Sequence, residues 1–214
     1  MELSTKGTLK VCKSRFVAYQ KKMMERYAKN EWVEDSIVFP DEDYELIIES
    51  LAVDDSNHLF VAESSKLFIR RCIMTKNSVG IFAQIENSVA YKDGWASITS
   101  MACMTNQRLC LGHQSGISIL NLTTMECLVN HLVNPPPLYM AAIRHSVLYT
   151  TGSTKVYEFS EEEGNNVFSG GEDSGSRDGT AQYCQYYCAS GLAVEFNNVA
   201  YICDKVNFKL ISIF

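Results

Sequence analysis

Residues that could bind a metal are present in the 214-residue chain, but their spacing fits no metal site. Cys184 and Cys188 have CxxxC spacing, yet no second cysteine pair accompanies them and no histidine follows at ligand distance, which disfavours structural zinc. Asp178 could belong to a calcium loop, but Ser174 and Ser176 stand where such a loop needs Asp or Asn. A turn is therefore the better interpretation of this segment.

Catalytic arrangements are equally poorly supported by the positions of the histidines. The four histidines do not share one position in the repeats described below, which argues against a metal site on a common axis: His58, His113, His131 and His145. His113, Gln114 and Ser115 lie together at a strand end, but no Asp partner and no G-x-S-x-G motif accompanies them. We therefore expect a protein that is not an enzyme and has no cofactor or metal.

Charge is distributed unevenly along the chain, whose net charge is −6. Residues 1–30 contain eight Lys/Arg and two Glu, whereas residues 31–214 contain 11 basic and 23 acidic side chains. Binding to phosphates needs clustered Lys and Arg, so we do not expect the acidic part of the chain to bind nucleic acid non-specifically. A hydrophobic content of 46% is typical of a folded globular protein.

Neither secretion nor membrane insertion is indicated by the sequence. The N-terminus lacks an apolar stretch long enough for a signal peptide, and no run of about 18 apolar residues could form a membrane span. The eight cysteines are therefore expected to be reduced, with Cys72, Cys103, Cys110 and Cys203 in apolar, mostly buried segments. We expect an intracellular, cytoplasmic protein, and a nuclear location stays open.

Four segments of the chain share one pattern. Each begins with an apolar residue followed by alanine: Leu51, Met101, Met140 and Leu192. Nine residues later each segment has an apolar or aromatic residue: Phe60, Cys110, Tyr149 and Tyr201. A further alternating run follows in every segment (LFIR, ISIL, VYEF and LISI), and successive segments start 50, 39 and 52 residues apart.

This period fits the four-stranded blade of a β-propeller. The first strand carries a small alanine, as crowding near an axis requires, and the apolar second strand suits burial on both faces. The third strand alternates, as expected closer to solvent, and weaker outer strands follow at residues 79–83, 126–130 and 166–170. The alternative is an all-β sandwich in which the similarity between segments arises by chance.

The last segment resembles an NHL repeat. The residues that carry the resemblance are Gly170-Gly171, Asp178-Gly179, Gly191-Leu192-Ala193-Val194, Tyr201-Ile202-Cys203-Asp204 and Asn207-Phe208-Lys209-Leu210. The match is good over residues 166–213 and degenerate over 44–160, where Glu63, His113 and Gly152 replace Asp204. The resemblance implies an all-β, NHL-type β-propeller, a family whose members mostly have six blades.

The sequence predicts two regions, a basic helical segment over residues 1–35 and an NHL-like propeller over residues 36–214. The four blades are predicted at roughly 44–83, 97–130, 138–170 and 189–214, and the last of them lacks its outer strand. In the arrangement that we favour, residues 36–39 supply this strand and close the ring. In the other, the chain is a partial propeller whose remaining blades are absent or belong to another subunit.

The basic N-terminal segment has the pattern of an amphipathic helix over residues 9–30. This stretch lacks Gly and Pro, and it has Phe16, Tyr19, Met23 and Tyr27 at helical spacing. Such a helix could bind a membrane surface or a partner protein. We favour its packing against the propeller, because the two regions carry opposite charge.

The function that the sequence favours is a non-catalytic binding scaffold, because propeller loops converge on one face of a rigid core. The acidic body favours a basic protein or peptide as partner. The candidate binding residues lie in the turns between strands: Asp54, Asp55, Asn57, His113, Gln114, Arg144, His145, Asn197 and Asn198. Two alternatives stay open, an RNA-binding NHL propeller and a metal-dependent lyase or hydrolase. Self-association is expected if the propeller is incomplete.

Overall fold

Every regular secondary-structure element in the described part of the chain is a β-strand. The computed structural model describes residues 2–4, 8–12, 34–39, 47–76, 81–92, 95, 97–105, 107–195 and 197–213. The chain divides into two compact units, Met1–Ala90 and Tyr91–Phe214. Within the described ranges, no helix has the length and hydropathy to cross a membrane.

The first unit contains one seven-stranded sheet. Its strands are β1 (Glu2–Ser4), β2 (Thr8–Cys12), β3 (Glu34–Val38), β4 (Ile48–Val53), β5 (His58–Glu63), β6 (Phe68–Lys76) and β7 (Ile81–Ala90). Their order across the sheet is β1-β2-β3-β7-β6-β5-β4, and all neighbours are antiparallel except β3 and β7. Strands β4–β7 form the first blade, and β1–β3 extend it beyond its outer strand.

One apolar cluster of the first unit lies on one face of this sheet. Apolar side chains from β3, β5, β6 and β7 pack together there: Ile37, Leu59, Val61, Cys72 and Ala83. The last five residues of β5 are all buried, and because successive side chains point to opposite faces, both faces of this strand are covered. This agrees with the expectation that the apolar second strand of a blade is covered on both faces.

The second unit contains three antiparallel sheets, each built from consecutive strands. The first consists of β8 (Ile98–Met104), β9 (Arg108–His113), β10 (Gly116–Asn121) and β11 (Cys127–Leu132). The next consists of β12 (Tyr139–Ile143), β13 (Ser146–Thr150), β14 (Lys155–Ser160) and β15 (Gly164–Gly170). The last has three strands, β16 (Ala189–Val194), β17 (Ala200–Asp204) and β18 (Lys209–Ile213). These sheets are the second, third and fourth blades.

The alanines of the repeat occupy one register position in three of the four blades. Ala52 lies opposite Phe60, Ala102 opposite Cys110 and Ala193 opposite Tyr201. In the third blade the turn between β12 and β13 is shorter, so Ala141 lies opposite Leu148 and Met140 opposite Tyr149. The sequence alignment without gaps is therefore one residue out of register in this blade.

The predicted closure of the ring by residues 36–39 is wrong. Strand β3 pairs with β2 along one edge and with β7 along the other, so both of its edges are occupied inside the first unit.

Residues 9–12 lie in β2 and are not helical, whereas the remainder of the predicted helix, 13–30, falls outside the described residues. The division of the chain at residue 35 stays a prediction.

Two smaller sequence expectations also fail. The third strand was expected near solvent, which holds for the partly exposed β14 and β18 but fails for β10, where Gly116–Leu120 are buried and Ile117 and Ile119 pack with residues of β13 in the third blade. Cys203 was expected in an apolar, buried segment, but its side chain is exposed, since it alternates along β17 with buried Ile202 and Asp204. Cys72 and Cys110 are buried as expected.

Candidate binding cleft

A cleft of about 600 Å³ lies at one end of the second and third blades. It is lined by the β8–β9 turn of one blade and by the β12–β13 and β14–β15 turns of the other: Met104, Thr105, Arg108, Arg144, His145, Ser146, Glu158, Ser160, Glu161, Glu162 and Glu163. In an antiparallel blade, the first and third turns lie at the same end of the sheet. This topology brings the three turns together.

One wall of the cleft is the two-residue turn Arg144–His145. Arg144 adopts a left-handed conformation with φ of 52°, as such a tight turn requires. Thr105 from the second blade fixes the turn: its hydroxyl donates to the carbonyl oxygen of Arg144 at 2.9 Å and lies 2.9 Å from Nδ1 of His145. Because the hydroxyl proton is used on the carbonyl, Nδ1 of His145 is the donor to Oγ1 of Thr105.

Another wall is an acidic turn formed by Glu161, Glu162 and Glu163 between β14 and β15. The backbone N–H of Glu163 donates to Oγ of Ser160 at 3.0 Å, and Gly164 ends the turn with φ of 72°. No atom lies within 4 Å of the position that a Cβ at Gly164 would take, so the requirement for glycine is conformational rather than steric.

Two of the four glutamates in the cleft have side-chain partners. Glu161 forms an ion pair with Arg108 at 3.3 Å, and both side chains are partly exposed. Glu158 accepts a hydrogen bond from the Ser146 hydroxyl. With two arginines and four glutamates, the cleft has a net negative charge when His145 is neutral.

The residues that the sequence singled out are divided between the two ends of the blades. Arg144 and His145 line the cleft. Five others lie in the corresponding first turns of the first and fourth blades: Asp54, Asp55, Asn57, Asn197 and Asn198. Gln114 is exposed in the β9–β10 turn, at the opposite end of its sheet.

The candidate residues outside the cleft mostly shape their own turns. Asp54 accepts hydrogen bonds from the backbone N–H groups of Ser56 and His58 at 2.9 and 2.8 Å, and it also contacts the His58 ring. Asn57 and Asn198 adopt left-handed conformations, with φ of 64° and 66°. Asn is one of the few residues that tolerate this region, which explains its presence in these turns.

His113 is not a loop residue, and its prediction as a surface contact is corrected by the structure. It is the last residue of β9 and is fully buried. Its Nε2 lies 2.9 Å from Oγ of Ser118, which also accepts from the indole N–H of Trp95 at 2.9 Å and donates to Asn130. Ser118 has one proton, so Nε2 of His113 must be its donor. The remaining ring nitrogen, Nδ1, has no hydrogen-bond partner among the described residues, and burial lowers the pKa of His113.

His113 belongs to a set of buried polar residues that end the second strand of every blade: Glu63, His113, Thr150 and Asp204. Glu63 accepts hydrogen bonds from Arg70 and Ser65, and Thr150 donates to the carbonyl oxygen of Ser190. The sequence alignment placed Gly152 at this position in the third blade, but β13 already ends at Thr150.

Asp204 makes the most extensive contacts of this set. Its carboxylate accepts hydrogen bonds from the backbone N–H groups of Tyr187 and Cys188 at 2.9 and 3.0 Å, and from Nδ2 of Asn207 at 2.7 Å. Burial alone would raise the pKa of Asp204, but these donors hold the pKa below its usual value. Asp204 and Asn207, two residues of the NHL-like pattern, therefore fix the segment that leads into β16.

The described residues contain no group of three or more His, Cys, Asp or Glu that could hold a metal ion. The hydrogen-bonded pair His113 and Ser118 has the residue types of a base and a nucleophile, but both side chains are fully buried. The cleft offers charged and hydroxyl groups on its surface, an arrangement suited to binding a polar segment.

Sequence reasoning missed Thr105, Arg108, Glu158 and the acidic turn as parts of this site. The run Glu161-Glu162-Glu163 lies between the third and fourth strands of a blade. A turn at this place lies at the same end of the blade as Arg144 and His145. This common position was the signal that could have indicated a shared surface.

No protein-family model and no curated protein sequence matches this chain. Solved structures do match. The structure of streptogramin B lyase aligns with a TM-score of 0.56 and 12% identity over 84% of this chain and 54% of the lyase chain. The WD40 repeats of RRP9 align with a TM-score of 0.51 and 15% identity over 81% of this chain and 52% of theirs.

The computationally designed Ika4 protein aligns with a TM-score of 0.51 and 11% identity over 83% of this chain and 96% of its own. WD40 repeats form β-propellers, with four-stranded sheets as blades. The fold of this chain is that of a β-propeller. The chain spans about half the length of the lyase and RRP9 chains that it matches, and identities this low bear on the fold alone.

Proposed function

We propose that this β-propeller is a non-catalytic scaffold that binds a basic segment of a protein or peptide in the cleft between its second and third blades. The observation that carries the proposal is the acidic wall. Glu162 and Glu163 are exposed beside the cleft and form no ion pair with any described residue, whereas Glu161 already pairs with Arg108. A Lys or Arg side chain from a partner would satisfy these carboxylates.

The Arg144–His145 turn would orient the bound segment. Arg144 carries guanidinium donors at the rim, and Thr105 and the backbone hold its turn in place. These donors suit the carbonyl oxygens of an extended peptide, while the glutamates attract its basic side chains. Each exposed ion pair contributes only about 0.2–1 kcal/mol, so specificity must come from several contacts made together.

We also infer that the blades are of the NHL type. Asp204 and Asn207, which stand at the Asp and Asn positions of that pattern, contact each other and the backbone before β16. These contacts give the pattern a structural reason in this chain, and they support the resemblance over the last blade. Glu63 in the first blade has different partners, as expected for a degenerate repeat.

The test is fluorescence anisotropy with a labelled pool of 12-residue peptides enriched in Lys and Arg. We expect the variant E162Q/E163Q to weaken binding about fivefold, which corresponds to two lost surface ion pairs. The matched control is D173N/D178N, which removes the same charge from the loop at the other end of the third blade. We expect the control to change affinity less than about twofold, and the difference to shrink at high salt.

Three results would contradict the proposal. Equal losses in the two variants would show that only net charge matters and that the cleft is not the site. Tighter binding to a labelled RNA than to the peptides, with a steep dependence on salt, would favour the RNA-binding alternative. Stoichiometric zinc or calcium in the purified protein, together with turnover, would favour a lyase or hydrolase.

A further inference from the structure

The outer edge of the fourth blade is formed by β18, the third strand of its sheet. In the second and third blades a fourth strand covers the corresponding edge, and in the first blade β7 does so. Among the described residues, β18 pairs only with β17, along all five residues from Lys209 to Ile213. The backbone N–H and C=O groups along its other edge could therefore pair with another strand.

The pairing of β18 differs in its regularity from that of the fourth strands in the other blades. The outer strands β7, β11 and β15 each meet their neighbours with a bulge, between Arg71 and Cys72, between Ile119 and Leu120, and between Val156 and Tyr157, respectively. A bulge increases the twist of a strand and so hinders the pairing of its edge with another strand. The pairing of β17 with β18 has no register shift, so β18 keeps a straight edge.

The side chains around this edge are apolar and exposed. Leu210 is 68% exposed, and Phe208, in the turn before β18, is 95% exposed. The charged residue of the strand, Lys209, is turned away to bind the carbonyl oxygen of Ser176 at 2.9 Å. The devices that protect an edge strand, such as Pro, a bulge or a central charge, are thus missing from β18 itself.

We propose that β18 pairs with β18 of a second copy of this chain, antiparallel and around a two-fold axis. The register that uses all five residues places Ile211 opposite Ile211, Leu210 opposite Ser212 and Lys209 opposite Ile213 of the second copy. No like charges face each other in this register, so the strand is complementary to itself. Two three-stranded blades become one six-stranded sheet.

The alternation of β18 supports this register. Ile211 and Ile213 pack against the core of the fourth blade, whereas Leu210 and Ser212 face outward. Because directly opposite residues share a face, the two Ile211 side chains meet on the core side and each Leu210 meets Ser212 on the outer side. The five paired residues make a small interface, in the size class of weak complexes.

The experiment is sedimentation velocity of the full chain from about 1 to about 500 µM, a range that covers weak association. We expect a monomer–dimer equilibrium. The variants L210K/S212K and L210E/S212E each place two like-charge pairs across the axis, and we expect at least about tenfold weaker dimerisation of each. Mixing the two variants in equal amounts creates Lys–Glu pairs instead, and we expect a heterodimer to form.

The matched control is V167K, which adds a charge at an exposed position of the bulged outer strand β15 and should leave the dimer unchanged. Both substituted positions in β18 are exposed, and thermal melting of each variant monomer verifies that it remains folded. Four results would overturn the proposal: a monomer at every concentration, a dimer that both double variants retain, a dimer lost in V167K, or a mixture that fails to associate.

Discussion

Replacing Asp204 with alanine tests whether the buried polar residue at the end of the second strand holds a blade to the segment before it. Asp204 is 1% exposed and accepts three well-formed hydrogen bonds, from the backbone of Tyr187 and Cys188 and from the Asn207 side chain. The alanine variant leaves these partly buried donors without an acceptor. Each unsatisfied buried donor costs about 1–3 kcal/mol, and because some donors will find water, we expect a total loss of about 3–5 kcal/mol.

The variant D204N separates the charge from the shape of the side chain. An amide keeps one acceptor oxygen but places an NH2 group against a donor, and it loses the added strength of a charged acceptor. We therefore expect D204N to lose about 2–3 kcal/mol, less than D204A. The control is D178A, whose carboxylate is 85% exposed and whose loss should cost less than about 0.5 kcal/mol.

The assay is urea unfolding followed by tryptophan fluorescence in a W32F background, where the buried Trp95 of the second unit is the remaining tryptophan.

The contacts of Asp204 also predict that the stability of the protein depends on pH. The folded-state pKa of Asp204 is lowered, so its contribution is complete above the unfolded-state pKa of about 3.9 and is lost as pH falls through the lower folded-state pKa. A loss below 1 kcal/mol in D204A, or the same acid dependence in D204N as in the wild type, would refute this reasoning.

Two further predictions concern buried titratable groups. Burial lowers the pKa of His113, so stability is complete above the unfolded-state pKa of about 6.5 and falls, by up to about 1.4 kcal/mol per pH unit, as pH drops below it. Melting curves between pH 8 and pH 5 should show a shallower decline for H113Q than for the wild type, and equal declines would contradict the prediction. Burial raises the pKa of Cys72 to about 12 and also raises that of Cys110, while Cys203 is exposed. Alkylation of the native protein at pH 8 followed by mass spectrometry should therefore modify Cys203 first among the seven cysteines from Cys72 to Cys203, and prior modification of Cys72 or Cys110 would count against their burial.

The repeat could be predicted from the sequence because the blade imposes the same demands each time. A small residue opposite a large one recurs as Ala52 with Phe60 and as Ala193 with Tyr201, and these pairs share one register in the structure. The third blade departs from this register because its turn at Arg144–His145 is shorter. Turn length changes strand pairing without changing the apolar pattern, so a gap-free alignment could not detect it.

The cleft could not be predicted as a whole, because its residues belong to different turns of different blades. Thr105 and Arg144 are 39 positions apart, and the hydrogen bond between them depends on how two sheets pack. His113 was misplaced for a related reason. A polar residue after an apolar strand is typical of a turn, yet here Trp95, Ser118 and Asn130 provide partners that keep the ring inside.

The four buried polar residues at the second-strand ends also bear on how the chain folds. Similar blades in one polypeptide can exchange strands or dock against the wrong neighbour, a characteristic failure of repeat proteins. Here the acceptor of one blade is Glu63, bound by Arg70, and that of another is Asp204, bound by the backbone at Tyr187 and Cys188. A blade joined to a foreign segment would leave a buried carboxylate or imidazole without its partner, at a cost of several kcal/mol. Because the buried polar residue at the end of the second strand differs between the four repeats, each blade has its own partners within the chain.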